Sequence, residues 1–185
     1  MISFKVFGDR VALTSVEQTH TGTVVLPQSA AKIFDLGKVV AIGDGKLKDK
    51  TVKMHVQPGD VAVFQANAMV AHNCMHAFGG QRFLFLSQQD LIATLTGTEI
   101  KLDGFNVVGS WVLLELFGEA DGLVVVPDAA KKPTRYRVLQ AGQDVDKVSR
   151  GQEVVVEKTR VGKIALNGLD YGFVHDANIL GVLEA

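Results

Sequence analysis

The chain has 185 residues, 47% of them apolar, with 19 basic and 20 acidic residues and a formal net charge of −1 at pH 7. This balance gives no electrostatic basis for binding nucleic acid or an anionic membrane surface. The single cysteine, Cys74, excludes an intrachain disulfide and fits a reducing compartment.

The first half of the chain predicts short strands separated by glycine and proline turns. The polar stretch from Ser15 to Thr23 has no helical period and predicts a loop. A polar hairpin tip is expected at residues 44–50, and Pro58-Gly59-Asp60 predicts a turn because proline fixes φ and glycine accepts positive φ. Strands are expected at Val11–Thr14, Leu36–Ile42, Val52–Val56, Val61–Phe64, Arg82–Leu86 and Leu91–Leu95.

The second half follows the same plan after a linker, residues 96–104, that is not of the flexible Gly/Ser type. Its expected strands are Trp111–Phe117, Arg137–Ala141, Glu153–Glu157, Tyr171–Val174 and Ile179–Leu183. Short strands without an amphipathic helix indicate an all-β fold.

One phrase occurs twice in the chain. Gly-Thr-Val-Val-Leu-Pro at residues 22–27 returns as Gly-Leu-Val-Val-Val-Pro at residues 122–127. Each copy is followed by a small-residue run and then by a β-branched stretch that ends in glycine, at Gly43 and at Gly142. This pattern predicts a tandem duplication of one module. We expect modules at residues 1–97 and 98–185, the first with a loop insert at about residues 66–80.

An ordered set of phrases carries a family resemblance. In the first half they are Phe7-Gly8-Asp9-Arg10-Val11, residues 22–27, Ser29-Ala30-Ala31-Lys32, residues 37–46 and residues 57–64. In the second half the phrase is at residues 176–184. Together they resemble the ten-kilodalton co-chaperonin family, the GroES-type lid of the chaperonin cage. The resemblance implies an all-β chain of two tandem GroES-like Greek-key β-barrels.

The resemblance also implies where partners would bind. In the family, a loop after the first strand presents an apolar triplet to a groove on the chaperonin, and a hairpin after a Gly-x-Gly turn forms the roof of the dome. Carried over by position, the triplets are Val24, Val25 and Leu26 in the first module and Val124, Val125 and Val126 in the second. The roof hairpin is carried by Asp44, Gly45 and Lys46.

These residues also have plainer interpretations. A β-branched triplet is typical of a buried strand, and packing is the favoured interpretation for the second triplet, which has a shorter polar lead-in. Residues 43–46 lack the spacing of a phosphate loop and predict a hairpin. His72, Cys74 and His76 could ligate a soft metal, but no fourth ligand is evident, so we expect an ordinary loop and no metal.

Two functions fit this sequence. In the first, a tandem co-chaperonin docks its triplets on a chaperonin ring, which binds the ATP, and assists protein folding. In the second, the same barrels form a non-enzymatic structural protein that decorates or cements a large assembly such as a viral capsid. The two copies of the module share no set of acidic and basic residues that could act in catalysis, so we expect no enzyme, no catalytic residue and no cofactor. Modules this small often gain stability by self-association, which we expect here.

Targeting signals are not evident in the sequence. The N-terminal residues alternate like a strand and lack the apolar core of a signal peptide. No apolar run approaches the ~20 residues that span a bilayer. We therefore expect a cytoplasmic protein, or a virion protein under the second function, without nucleic-acid or membrane partners.

Overall fold

The computed structural model describes residues 5–16, 34–65, 74–96, 102–116, 133–166 and 169–183. Within these ranges the chain forms 13 strands and a few single-turn 3-10 helices, which confirms the predicted all-β fold. Among the same residues, no helix has the length and apolar character that crossing a bilayer requires. The chain divides into two compact units, Met1–Glu99 and Ile100–Ala185.

The first unit contains a six-stranded antiparallel sheet. Its strands are β1 (Arg10–Ser15), β2 (Phe34–Ile42), β3 (Val61–Gln65), β4 (Met75–Phe78), β5 (Gln81–Ser87) and β6 (Leu91–Leu95). They lie in the order β4-β5-β1-β2-β3-β6. The largest fully buried side chains come from the central strands and from β6, and include Leu13, Leu86, Leu91 and Ile92. Burial of this aliphatic surface is the main stabilising term of the unit.

The second unit begins with the short strand β7 (Phe105–Val107) and continues with six further strands. These are β8 (Trp111–Glu115), β9 (Pro133–Ala141), β10 (Glu153–Glu157), β11 (Gly162–Leu166), β12 (Leu169–His175) and β13 (Ile179–Leu183). They form an antiparallel sheet in the order β11-β12-β8-β9-β10-β13. Its core is built largely from valines, among them Val112, Val138, Val154 and Val174.

The two units have the same strand order, position by position. Their irregularities also coincide. The register of β1 against β2 shifts between Ala12 and Leu13, and that of β8 against β9 shifts between Leu113 and Leu114. A second shift lies on β3 at Val63/Phe64 and on β10 at Val155/Val156. Bulges of this kind increase local twist and bend a sheet, so both sheets curve at equivalent places.

Each unit has a glycine at the point where the chain leaves a long strand: Gly43 after β2 and Gly142 after β9. We call each of these points a glycine corner. Gly43 N donates to Arg10 O at 2.8 Å, and Gly142 N donates to Trp111 O at 2.9 Å. A Cβ added to Gly43 would lie 2.1 Å from Gly8 O, and one on Gly142 would lie 2.2 Å from Gly109 O. No side chain fits between backbones this close. The repeated glycine at the end of the β-branched stretch is therefore a steric requirement of the corner.

Several predicted strand bounds need correction, and the strand predicted at Val52–Val56 is wrong. These residues form no strand; an isolated β-bridge between Thr51 and Lys46 lies just before them, and Val52 N donates to Gly45 O at 2.9 Å. Their backbone is instead held by the side chain of Gln88, whose Oε1 accepts from His55 N at 2.9 Å and whose Nε2 donates to Lys53 O at 2.7 Å. Strands β2, β9 and β12 begin earlier than predicted, at Phe34, Pro133 and Leu169, and β11 was not predicted.

The predicted loop insert at residues 66–80 is wrong at its C-terminal end. Residues 66–73 lie outside the described residues, but Met75–Phe78 form β4, which pairs with β5. The second unit has a strand, β11, at the equivalent position. All four β4 side chains are exposed, so the alternation that predicts a half-buried strand is missing. The Gly79-Gly80 turn, with both φ values positive, is the hairpin signal that identifies it.

The glycine corner gives a stability prediction. Gly43→Ala should lower the free energy of unfolding by roughly 2 kcal/mol or more, because the corner must open to admit the methyl group. Gly181→Ala is the control, since a Cβ at Gly181 meets nothing within 4 Å. Urea unfolding at one fixed protein concentration measures both variants. Equal stability of the two variants would contradict the steric account.

Candidate functional site

The predicted triplets, Val24-Val25-Leu26 and Val124-Val125-Val126, lie outside the described residues, so their docking role stays a prediction. The structure describes the strands that enter and leave each segment. β1 and β2 are antiparallel neighbours, with Ser15 opposite Gly37. β8 and β9 are likewise neighbours, with Glu115 opposite Arg137. Each triplet segment is therefore tethered at both ends to one pair of hydrogen-bonded strands, which we call the first stem and the second stem.

The first stem is tightly packed at Gly37. A Cβ on Gly37 would lie 3.0 Å from Leu13 Cβ and 3.3 Å from Phe64 Cε1. Leu13 and Phe64 are buried. The absence of a side chain at Gly37 thus lets the Phe64 ring from β3 pack over the base of the stem. Close packing of this kind holds the strand ends in one arrangement.

The second stem is closed by an ion pair. Arg137 Nη1 lies 3.3 Å from Glu115 Oε2, and both side chains are about half exposed. An exposed pair of this kind contributes about 0–1 kcal/mol. The equivalent cross-strand pair of the first stem is Thr14 and Lys38, which contains no carboxylate. The two stems therefore share a backbone geometry and differ in charge.

The structure brings Asp44, Gly45 and Lys46 together at the start of a tight hairpin. Gly45 has φ 71°. Gly45 N donates to Gly8 O at 2.8 Å, and Val52 N donates to Gly45 O at 2.9 Å. After Gly45, Lys46 and Thr51 form an isolated antiparallel β-bridge, and Leu47 N donates to Lys50 O at 2.8 Å. The hairpin is thus anchored to the glycine corner by main-chain bonds, while its assignment as a roof stays a prediction.

Asp44 fixes the entrance to this hairpin through its carboxylate. Asp44 Oδ1 accepts from Lys46 N and from Gly8 N, each at 3.2 Å. The hydrogen bond from the Lys46 backbone is the largest of the causes that hold the pKa of Asp44 below its ordinary value, with the Gly8 bond and the Lys46 charge also lowering it. Bonds to the ionised form favour that form. The Asp44 side chain is therefore a local cap of the hairpin.

The sequence contains no signal for Gln88, whose side chain holds residues 53–55, at the C-terminal end of the segment that follows the hairpin. Its two side-chain bonds, to His55 N and Lys53 O, join residues more than 30 positions apart. Its backbone N also donates to Asp9 O at 2.9 Å. A contact between such distant residues leaves no local sequence signal, so only the folded sheet identifies it.

The H-x-C-x-H phrase falls partly outside the described residues, since His72 is not among them. Cys74 is buried, and burial raises the pKa of its thiol. His76 is exposed on the edge strand β4, with its ring 5.9 Å from that of Phe85. Within the described ranges, no group of three or more His, Cys, Asp or Glu side chains is arranged to hold a metal ion.

The Asp44 cap can be tested by removing its carboxylate at a pH where that group is ionised. Because the folded-state pKa of Asp44 is below the ordinary value of 3.8, its carboxylate stabilises the hairpin above that pH, and the stabilisation is lost as pH falls through the lower pKa. Asp44→Ala should speed amide hydrogen exchange at Gly8 and Lys46 in NMR, whereas Asp49→Ala at the hairpin tip should not. Unchanged exchange in Asp44→Ala would show that the cap is dispensable.

Comparison with known proteins gives one consistent family. Residues 3–95 match the family described as the chaperonin 10 Kd subunit. The co-chaperonin GroES of Solidesulfovibrio magneticus is 32% identical over 98 residues, which are 51% of this chain and 98% of that protein. That of Acetivibrio thermocellus is 34% identical over 97 residues, 51% of this chain and 99% of the relative. The co-chaperonin GroES of Shewanella baltica is 37% identical over 91 residues, which are 47% of this chain and 92% of that protein.

The matched residues include the first stem and the hairpin at residues 44–50, and they lie within the first unit, which ends at Glu99. The second unit lies beyond them. The family predicted from the sequence is therefore confirmed for the first half of the chain. The match spans half of the chain, and the protein belongs to the chaperonin 10 Kd subunit family.

Proposed function

We propose that this chain is a co-chaperonin of two tandem modules, which caps a chaperonin ring and assists the folding of enclosed proteins. The observation that carries the proposal is that nearly the whole first unit matches a co-chaperonin family, with relatives named co-chaperonin GroES matched over 90% or more of their own length. Such a protein acts by docking and not by catalysis, and the ATP is bound by the chaperonin.

The second unit supports a tandem duplication, with modules at residues 1–97 and 98–185. Its strand order and its two bulges repeat those of the first unit. Its turn bonds repeat as well. Gly59 N donates to Val39 O at 2.9 Å, and Gly151 N donates to Val138 O at 2.8 Å. Agreement of strand order, bulges and turns is what two copies of one module would give, because each feature depends on the others.

The grip on the chaperonin is assigned to the triplets Val24-Val25-Leu26 and Val124-Val125-Val126. An apolar segment tethered at both ends can fill a groove or add a strand to a sheet edge. Each aliphatic side chain that becomes buried contributes ~1.5–3 kcal/mol, less the cost of ordering the segment. One triplet binds weakly, and several presented by one oligomer bind tightly through effective concentration.

Self-association is supported by an exposed apolar side chain on the last strand. Leu180 on β13 is 60% exposed. In the described part of the second unit, β13 lies at the edge of the sheet and pairs with β10. An exposed apolar edge strand is a template for pairing with another chain. We assign the cover of β13 to a second copy of this chain, as a ring of modules requires.

The alternative function, decoration of a shell such as a viral capsid, receives no support from these relatives, each of which is a co-chaperonin GroES. The proposed site of action is therefore the cytoplasm, beside the chaperonin.

Chaperonin docking can be tested directly. Wild-type chain should co-migrate with the chaperonin of its host on size exclusion in the presence of ATP or ADP. Val25→Asp should weaken this binding by about tenfold or more, because a charge cannot enter an apolar groove unpaired. Thr23→Asp adds the same charge just outside the triplet and serves as the matched control. Binding of Val25→Asp at the wild-type level would exclude the first triplet as the grip.

The second triplet is tested by Val125→Asp in the same experiment. A co-chaperonin with two working grips should lose affinity in both single variants and lose more in the double variant. Wild-type binding by Val125→Asp would restrict docking to the first module and leave the second triplet to packing.

The β13 edge gives a separate prediction on oligomer size. Leu180→Asp should lower the sedimentation coefficient of the assembled protein, because it places a charge on the apolar edge. Leu169→Asp is the matched control, since Leu169 is equally exposed, at 62%, but lies at the start of β12. An unchanged oligomer in Leu180→Asp would contradict pairing through β13.

A further inference from the structure

The two units carry opposite charges at equivalent corners. In the first unit, residues 44–55 connect the corner glycine Gly43 to the buried Val56 and contain four lysines and two aspartates, a net charge of +2. In the second unit, residues 143–147 connect Gly142 to the buried Val148 and contain two aspartates and one lysine, a net charge of −1. We call these segments the basic corner and the acidic corner.

The basic corner presents its lysines on a fixed hairpin. Lys46, Lys48, Lys50 and Lys53 are all exposed. The hairpin that carries them is closed by the Leu47 N to Lys50 O bond and by the Lys46–Thr51 bridge. Of its two aspartates, Asp44 is bonded to backbone amides at the base of the hairpin, away from the tip. The tip therefore displays a positive surface with little conformational freedom.

The acidic corner is short and equally fixed. Asp144 N donates to Gly109 O at 3.2 Å, and Val145 N donates to Gly142 O at 3.1 Å. Asp144 and Asp146 are exposed. The one lysine, Lys147, is exposed and has its Nζ 4.0 Å from Asp176 Oδ2, so a further carboxylate lies beside this corner. The charge that this corner offers to another molecule is therefore negative.

We propose that the basic corner of one chain docks against the acidic corner of a neighbouring copy of this chain. The inference rests on the proposed function, since it takes place in the assembled oligomer. In a closed head-to-tail assembly of two-module chains, first and second modules alternate around the ring. The first module of one copy therefore lies beside the second module of the neighbouring copy. Complementary charge across such a contact selects which surfaces meet and suppresses the contact between like corners.

The experiment is a charge-reversal cycle measured by sedimentation velocity at about 50 mM and about 500 mM NaCl, which differ in screening length. Lys48→Glu/Lys50→Glu reverses the basic corner. Gln143→Lys/Asp146→Lys reverses the acidic corner and leaves Asp144 in place. Each double variant should raise the dissociation constant of the oligomer about three- to tenfold at low salt. The two pairs combined should restore it to within about twofold of wild type.

The control is Arg135→Glu/Lys163→Glu, which makes the same change in net charge as the Lys48/Lys50 pair, at exposed positions of β9 and β11. It should leave the dissociation constant near the wild-type value. Far-UV circular dichroism verifies that every variant is folded. Wild-type association of either reversed pair, failure of the combination to restore it, or a wild-type chain that stays monomeric would overturn the inference. Nucleotide-dependent binding of the wild-type chain to the chaperonin is measured in parallel. If this binding is seen but the charge reversals have no effect, the corner contact is excluded and the proposed co-chaperonin function is not.

Discussion

The structure of each unit depends on one close approach between two backbone segments. At Gly43 against Gly8, and at Gly142 against Gly109, no Cβ can be accommodated. This approach lets the chain leave β2 or β9 at the end of its pairing and enter the corner segment without a gap in hydrogen bonding. Gly8 and Gly109 have positive φ, of 67° and 62°, which only glycine adopts without strain. The roof hairpin and the strand pairs that tether the triplet segments are positioned from this corner.

The two units have the same scaffold and differ in the segments attached to it. Strand order, bulges and corner bonds repeat, whereas the stem of one unit has Thr14 opposite Lys38 and that of the other has Glu115 opposite Arg137. The corner segments differ in length and in the sign of their charge. Surface substitutions of this kind cost little stability. Two units that share one scaffold can therefore present different contact surfaces, which the proposed ring of alternating modules would use.

Sequence patterns predicted the features that local physics determines. The β-branched runs gave most strands, Glu153–Glu157 and Ile179–Leu183 among them with correct bounds, and the glycines and Pro58 gave the turns. The edge strand β4 was not predicted because its side chains are all exposed and show no alternation. The strand predicted at Val52–Val56 was wrong because the side chain of the distant Gln88, and not a neighbouring strand, holds this backbone. At the site, the hairpin of Asp44, Gly45 and Lys46 was predictable from its glycine spacing. The role of Asp44 as a cap required the folded distance to Gly8.

The central claim is that this chain performs the work of a co-chaperonin, and client refolding tests it most directly. A denatured enzyme that needs a lidded chaperonin is diluted into host chaperonin and ATP, with this chain or with an established co-chaperonin as the lid. If this chain is a co-chaperonin, it should raise the yield of active enzyme severalfold over chaperonin alone. No gain with this chain, under conditions where the established co-chaperonin restores activity, would contradict the proposed function.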